Sequence, residues 1–143
     1  MEVLIDNRQN KHAIDLKEIR QKAKAILNAL DCPEGELSIL LVDDAQIEVL
    51  NREYLNRYGP TNVIAFPMRA GRFSNIAPHL LGDVVISVET AVKEAKSAGN
   101  SMEERFTQLL VHGILHLLGY DHEKTEQEAQ KMENKSNEIL KLL

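Results

Sequence analysis

Apolar residues recur along the chain in two patterns, short continuous runs and longer segments with helical spacing. The runs "EVLID", "ELSILLV", "TNVIAF" and "GDVVISV" predict four strands. Apolar positions that repeat every three or four residues predict helices within residues 15–30, 43–59, 89–99, 101–119 and 125–142. Because strands and helices interleave, the pattern predicts an α+β domain with α/β-type layering, in which a small mixed sheet packs against helices.

Polar residues that cap helix N-termini precede four of these segments: Asp15, either Asp43 or Asp44, Ser101 with Glu104, and Thr125 with Glu128. The last two pairs have the spacing of a capping box. Residues 67–80, "PMRAGRFSNIAPHL", show no periodicity. Loops of that length are usually functional or mobile, so this segment is a candidate for ligand contact.

Length and composition narrow the class of protein. With 143 residues, 43% of them apolar, the chain suits one domain over residues 1–143. Its single cysteine, Cys32, allows no internal disulfide, and no apolar window has the length of a membrane span. Since the N-terminus has no long apolar run, we expect a cytoplasmic protein. The formal charge of −5 argues against a protein that coats nucleic acid, although a local basic patch remains compatible with it.

The stretch "HGILHLLGYDH", residues 112–122, contains three of the five histidines. His112 and His116 are four residues apart, so a helix places both imidazoles on one face, where they can share a metal ion. Gly119 can adopt the left-handed conformation that ends a helix, and the chain can then turn back. His122 would thereby supply a third nitrogen, which predicts one metal ion per chain.

Three histidine ligands leave a fourth tetrahedral position for water or substrate, as in catalytic zinc sites. Zinc lowers the pKa of its bound water to about 7 and polarises phosphoryl or carbonyl oxygens, which favours hydrolysis. Imidazole also suits nickel, copper and iron, and zinc is preferred here on geometry. The neighbouring Asp121 either orients a ligand histidine by accepting its second N–H or caps the turn.

A zinc peptidase is the obvious alternative, because the metzincin pattern HExxHxxGxxH places its histidines and glycine at the same relative positions. The glutamate of that pattern is the general base, and this chain has Gly113 there. A glycine can neither accept nor donate the proton. Phosphodiester cleavage depends more on charge neutralisation, which a metal ion and an arginine can supply.

The segment 51–80 is basic within an acidic protein. Four arginines face a single acid, Glu53, for a formal charge of +3: Arg52, Arg57, Arg69 and Arg72. Aromatic rings are interleaved with them, as in proteins that bind single-stranded nucleic acid: Tyr54, Tyr58, Phe66 and Phe73. Periodicity favours a core position for the first three of these rings. We therefore expect Arg69, Arg72 and Phe73 to contact single-stranded nucleic acid, with a mobile surface loop as the alternative.

The histidine stretch resembles the signature of the YbeY family of bacterial metallo-endoribonucleases, which act in ribosomal RNA maturation. Two other stretches are similar to that family: "LNREYLNRYGPTNVIAFP", residues 50–67, to the segment around its PT(D/N)VLSFP core, and "LLGDVVIS", residues 80–87, to its LGDIVIS strand. The resemblance implies a zincin-like fold with a central histidine-bearing helix, and Zn²⁺ held by His112, His116 and His122. It also implies single-strand-specific RNA cleavage in 16S rRNA 3′ end maturation and 70S ribosome quality control. The implied partners are ribosomal RNA and the ribosome or its assembly proteins.

The chain departs from the family pattern at one position. The family has an arginine directly after the tyrosine of its NxxYR segment, whereas Leu55 follows Tyr54 here. Arg57 is the nearest substitute and our candidate catalytic arginine. Two other classes of protein stay open at this point: a non-catalytic ribosome-assembly factor whose zinc only braces the fold, and the zinc peptidase that Gly113 opposes.

Overall fold

The computed structural model describes residues 2–68, 79–121 and 123–143. The strands are β1 (Glu2–Asn7), β2 (Glu36–Val42), β3 (Val63–Pro67) and β4 (Leu80–Ser87). The helices are α1 (Leu16–Ala29), α2 (Asp44–Leu55), α3 (Val88–Ala98), α4 (Met102–Leu117) and α5 (Glu126–Leu142). None of the helices in these ranges is long and apolar enough to cross a bilayer.

The four strands form one sheet in the order β1-β2-β4-β3. The strands β1, β2 and β4 are parallel, and β3 pairs antiparallel with β4. The prediction of a small mixed sheet packed with helices is therefore confirmed. The antiparallel strand β3 lies at one edge of this sheet, and among the described residues it pairs only with β4.

Helix α4 is the central helix of the fold, and its buried residues join the main hydrophobic core. It lies against β3 and β4 and also contacts α3 and α5. Gly113 makes the approach to the sheet close, because an added Cβ would lie 2.6 Å from Val84 Cγ1 and 3.2 Å from Val63 Cγ2. The side chains of Val63 and Val84 thus pack against the backbone of α4 and leave no room for a side chain at position 113.

The predicted N-terminal caps are confirmed in four helices. The side chains of Asp15, Asp43, Ser101 and Thr125 each accept a hydrogen bond from a backbone N–H in the first turn that follows. One boundary differs from the prediction, which assigned Val88 to the strand "GDVVISV". The Ser87 hydroxyl accepts a hydrogen bond from Thr90 N, so the strand ends at Ser87 and Val88 begins α3.

The predicted core positions of two tyrosines are wrong. Tyr54 is 67% exposed and Tyr58 is 86% exposed. Asn56 takes a left-handed conformation, with φ of 53°, and ends α2 before Tyr58 can join the helix. Tyr54 belongs to α2 but meets Phe66 only edge-on, with ring centroids 5.6 Å apart. Phe66 itself is half-buried and packs against a small cluster that contains Ile47 and Val85.

Candidate metal centre

Helix α4 places two of the three predicted metal ligands side by side. The Nε2 atoms of His112 and His116 are 3.1 Å apart. Their rings meet edge-on, with centroids 4.6 Å apart. Both side chains are half-buried and line one cleft, so the face predicted from their spacing opens to solvent rather than into the core.

This pair fits two ligands of one metal ion. Two imidazole nitrogens bound to a tetrahedral zinc at about 2.0–2.1 Å stand about 3.3 Å apart. The observed Nε2 separation of 3.1 Å is close to that value, and it also suits a hydrogen bond from one tautomer to the other ring. Within residues 2–68, 79–121 and 123–143 there is no group of three or more potential metal ligands. His122, the predicted third ligand, lies outside these residues, so the metal centre stays a prediction.

The chain reverses directly after α4, as the position of Gly119 predicts. Gly119 has φ of +99°, and its N–H donates to His116 O at 3.1 Å. Tyr120 N donates to Leu115 O at 3.1 Å, so the turn folds back on the last helical carbonyls. Asp121 Oδ1 then accepts a hydrogen bond from Glu123 N at 2.8 Å. Asp121 thus caps the turn, which is one of its two predicted roles, and its role toward a metal ligand stays a prediction.

The opposite wall of the cleft consists of β3 and the loop that precedes it. Asn62 fixes the start of this strand: its Oδ1 accepts from Val63 N at 2.7 Å, and its carbonyl accepts from Ser87 N at 2.9 Å. Its Nδ2 donates to the Glu94 carboxylate at 3.3 Å. The asparagine of the "PTN" stretch therefore positions the edge strand beside the histidines.

Arg57, the candidate catalytic arginine, reaches the same cleft from this loop. Its Nη2 donates to Glu123, at 3.1 Å from Oε2 and 3.3 Å from Oε1. The hydrogen bond and the charge of Glu123 together raise the pKa of Arg57 above its ordinary value. Leu55, which occupies the position of the family arginine, lines the cleft as an apolar side chain. Arg57 therefore lines the same cleft as the two histidines, and its catalytic role stays a prediction.

The cleft has a volume of about 590 Å³. Two cations and two acids are among the described residues that line it: Arg57 and Lys124, Asp121 and Glu123. The described part of the wall is thus balanced in formal charge. Glu123 and Lys124 are not among the residues predicted for the site, although both directly follow the third histidine in a segment predicted to turn back toward the other two.

Arg69, Arg72 and Phe73 are outside the described residues, so their positions relative to the histidines stay predictions. Arg52 is exposed on α2 and is not among the residues that line the cleft.

A mixed sheet whose edge strand faces a helix-borne histidine pair defines an α+β protein with a candidate metal cleft. The family model described as "Endoribonuclease YbeY" matches residues 4–143 of this chain. The chain belongs to the YbeY family.

Individual relatives agree over nearly the full length. A protein of Geobacter metallireducens named "Endoribonuclease YbeY" is 48% identical over 144 aligned residues, which span 100% of this chain and 96% of the relative. A protein of Aquifex aeolicus with the same name is 41% identical over 93% of this chain and 87% of its own length.

A solved structure supports the fold separately. The solution structure of TM1509 from Thermotoga maritima superposes with a TM-score of 0.68 over 98% of this chain and 87% of that chain. Its sequence is 22% identical, so this comparison bears on the fold alone.

Proposed function

We propose that the protein is a metal-dependent, single-strand-specific endoribonuclease that acts in 16S rRNA 3′ end maturation and 70S ribosome quality control. The observation that carries this proposal is the His112–His116 pair, which opens into a cleft in a chain whose relatives are named endoribonucleases. Its substrate would be single-stranded ribosomal RNA, and its partners the ribosome or ribosome-assembly proteins. This role places the protein in the cytoplasm, where ribosomes are assembled.

The proposal assigns His112, His116 and His122 as the ligands of one Zn²⁺ per chain. A zinc ion held there would polarise a phosphoryl oxygen and activate a water molecule. The turn at Gly119 supports this assignment, because it directs the chain that carries the third histidine back toward the other two. Asp121 holds that turn through Glu123 N.

Arg57 and Lys124 are the described cations that line the cleft, and in this proposal they neutralise the phosphates of the bound strand. Arg69, Arg72 and Phe73 would extend the contact along the RNA beyond the cleft. A single strand can bend its backbone toward the cations of the cleft, whereas an A-form duplex holds its phosphates in a stiff array. The proposal therefore predicts preference for unpaired RNA.

The structure gives a specific argument against a peptidase. A metzincin would need a glutamate at position 113, between the two histidines. Here the backbone of α4 lies so close to β4 that even a Cβ at this position would meet Val84 at 2.6 Å. A side chain that must reach a water molecule has no space there, so the proton carrier of peptide hydrolysis is missing from its usual place.

The His116→Ala variant tests the metal centre. We expect the wild-type protein to hold one equivalent of metal and the variant to lose most of it, because two histidines bind far more weakly than three. RNA cleavage should fall by more than the roughly 10–100-fold that the loss of an outer-shell partner costs. Elemental analysis and cleavage of a single-stranded RNA measure the two effects, with His12→Ala as the matched control. A full equivalent of metal in His116→Ala would contradict the assignment.

Chelation tests whether the metal also supports the fold. A ligand that binds only the native state stabilises it by about 2.7 kcal/mol at a free concentration 100 times its Kd. We therefore expect a lower melting temperature after metal removal, with recovery on adding zinc. A zinc-loaded protein that leaves single-stranded RNA intact would favour the non-catalytic assembly factor over the nuclease.

A further inference from the structure

One ion pair joins the two walls of the cleft. Arg57 follows α2 on one wall, and Glu123 lies between α4 and α5 on the other, 66 residues further along the chain. Their closest contact, Nη2 to Oε2, is 3.1 Å. Both residues line the cleft that holds His112 and His116. The pair therefore spans the region that a substrate phosphate must enter.

The backbone holds both members in place. Asn56, with φ of 53°, ends α2 and directs Arg57 away from the helix. Arg57 N donates to Asn51 O at 3.2 Å, and the Asn51 amide donates to Gly59 O at 3.0 Å. On the other wall, Glu123 N donates to Asp121 Oδ1 at 2.8 Å. The backbone on either side of the ion pair is thus anchored by hydrogen bonds that do not involve the pair.

The contact itself is weak and easily exchanged. The two side chains are 60% and 53% exposed, and ion pairs in such surroundings contribute little to stability. The pair uses a single guanidinium nitrogen, Nη2. A guanidinium has five N–H donors in a planar fork, and a phosphate can accept two of them at once. A phosphate presented at this cleft can therefore replace the carboxylate.

We propose that the Arg57–Glu123 ion pair, here called the clasp, bridges the cleft until an RNA phosphate replaces the Glu123 carboxylate on Arg57. Glu123 thereby lowers the affinity for RNA, because it competes with the phosphate for Arg57. This inference rests on the proposed function. The competition favours strands flexible enough to bring a phosphate to the guanidinium in place of the carboxylate. Glu123 is then a specificity-determining residue that acts through Arg57.

A double-mutant cycle on the metal-loaded protein tests the clasp. The four proteins are the wild type, Glu123→Gln, Arg57→Ala and the double variant, and the probe is a short single-stranded RNA with 2′-O-methyl groups that slow its cleavage. Kd is measured at several salt concentrations. The control is Glu133→Gln, which makes the same charge change on an exposed residue outside the cleft.

We expect Glu123→Gln to bind RNA about 2–5-fold more tightly than the wild type, the scale of one exposed ion pair. Its salt dependence should match the wild type, because Arg57 still contacts the phosphate. Arg57→Ala should bind more weakly, with a log–log salt slope shallower by about 0.7, the value for one lost phosphate contact on a single strand. The double variant should match Arg57→Ala in both Kd and slope. Metal content should stay the same in all four proteins.

Other outcomes overturn the clasp. Equal or weaker binding by Glu123→Gln would show that the carboxylate does not compete for Arg57. Tighter binding by the double variant than by Arg57→Ala would show that Glu123 acts on RNA without Arg57, and the same gain in Glu133→Gln would reduce the effect to net charge. If the wild-type protein binds no single-stranded RNA, the proposed function fails and the clasp with it. If the wild type binds RNA but the variants do not show the expected differences in Kd and salt slope, the clasp proposal is wrong and the proposed function stands.

Discussion

At the scale of single residues, Gly113 is a packing position next to His112 in the candidate metal centre. It lies between the two histidines in sequence and faces the sheet, so it sets how closely α4 approaches β4. The same position carries the catalytic base in metzincins. Close packing of α4 on the sheet leaves no room for that side chain here, so the base of peptide hydrolysis is absent from this position.

The Gly113→Ala variant should be less stable than the wild type. Alanine favours a helix over glycine by about 1 kcal/mol, but overpacking a core costs about 1–3 kcal/mol. We expect the clash with Val84 to dominate and the free energy of unfolding to fall by about 1 kcal/mol, measured by urea denaturation. In a Val84→Ala background the same substitution should be neutral or stabilising. A stabilised single variant would show that the helix has room to move.

At the scale of elements, the loop between α2 and β3 depends on one buried side chain. Asn51 is 5% exposed, and its amide donates to Gly59 O across the loop. Its carbonyl accepts from Arg57 N, so the same residue holds both ends of the segment that carries the candidate catalytic arginine. Helical spacing places Asn51 on the same face of α2 as the buried Ile47, but it does not predict the contact of its amide with Gly59.

The Asn51→Ala variant should loosen this loop. A buried carbonyl that loses its donor costs about 1–3 kcal/mol, and water can reach the half-buried Gly59, so we expect a loss of about 1 kcal/mol in unfolding free energy. RNA affinity should also fall, because Arg57 would sample positions outside the cleft. Thermal unfolding and RNA binding measure the two effects. The control Asn134→Ala, on the exposed face of α5, should change neither, and equal effects in both variants would refute the role of the loop.

The sequence predicts the secondary-structure elements and their turns better than it predicts the contacts between them. The strands, the helices, the caps and the turn at Gly119 depend on neighbouring residues, so local patterns find them. The left-handed conformation of Asn56, which keeps Tyr58 out of α2, is also a local feature. The sequence does not reveal it, because the apolar spacing of the helix continues past Asn56 to Tyr58. The Arg57–Glu123 pair joins residues 66 positions apart. Their meeting depends on how α4 docks against the sheet, which no local pattern contains.

At the scale of the whole molecule, Asp44 ties several elements together. Its carboxylate at the start of α2 accepts hydrogen bonds from Ser87 at the end of β4 and from Thr90 and Lys93 in α3. Its backbone N–H donates to Glu89 at 3.0 Å, and Glu89 also accepts from Lys11, before α1. Burial raises the pKa of Asp44, but the hydrogen bonds from Lys93, Thr90 and Ser87 outweigh it, and the net pKa is lowered.

This network predicts how stability depends on pH. A carboxyl group whose pKa is lower in the folded state stabilises the fold above its unfolded pKa of about 3.9, and that contribution disappears as the pH falls through the folded pKa. We expect Asp44→Asn to lose about 1–2 kcal/mol of unfolding free energy at pH 7, on the scale of hydrogen bonds to a charged group. The difference from the wild type should shrink below about pH 4.

Urea denaturation at a series of pH values measures this dependence. The control Glu133→Gln removes an exposed carboxylate and should follow the wild type throughout. A loss in Asp44→Asn that stays constant down to the lowest pH would show that the charge of Asp44 does not carry the effect.

The exposed position of Tyr58 also gives the protein an intrinsic optical reporter. The chain has no tryptophan and three tyrosines, so tyrosine emission is not masked by energy transfer to indole. Tyr58 is adjacent to Arg57 in sequence, and Tyr120 lines the cleft, whereas Tyr54 packs against Phe66 away from it. Replacing Tyr54 by phenylalanine would leave two tyrosine fluorophores, Tyr120 in the cleft and the exposed Tyr58. Events at the cleft can then be followed by fluorescence in real time, without a dye attached to the protein or to its ligand.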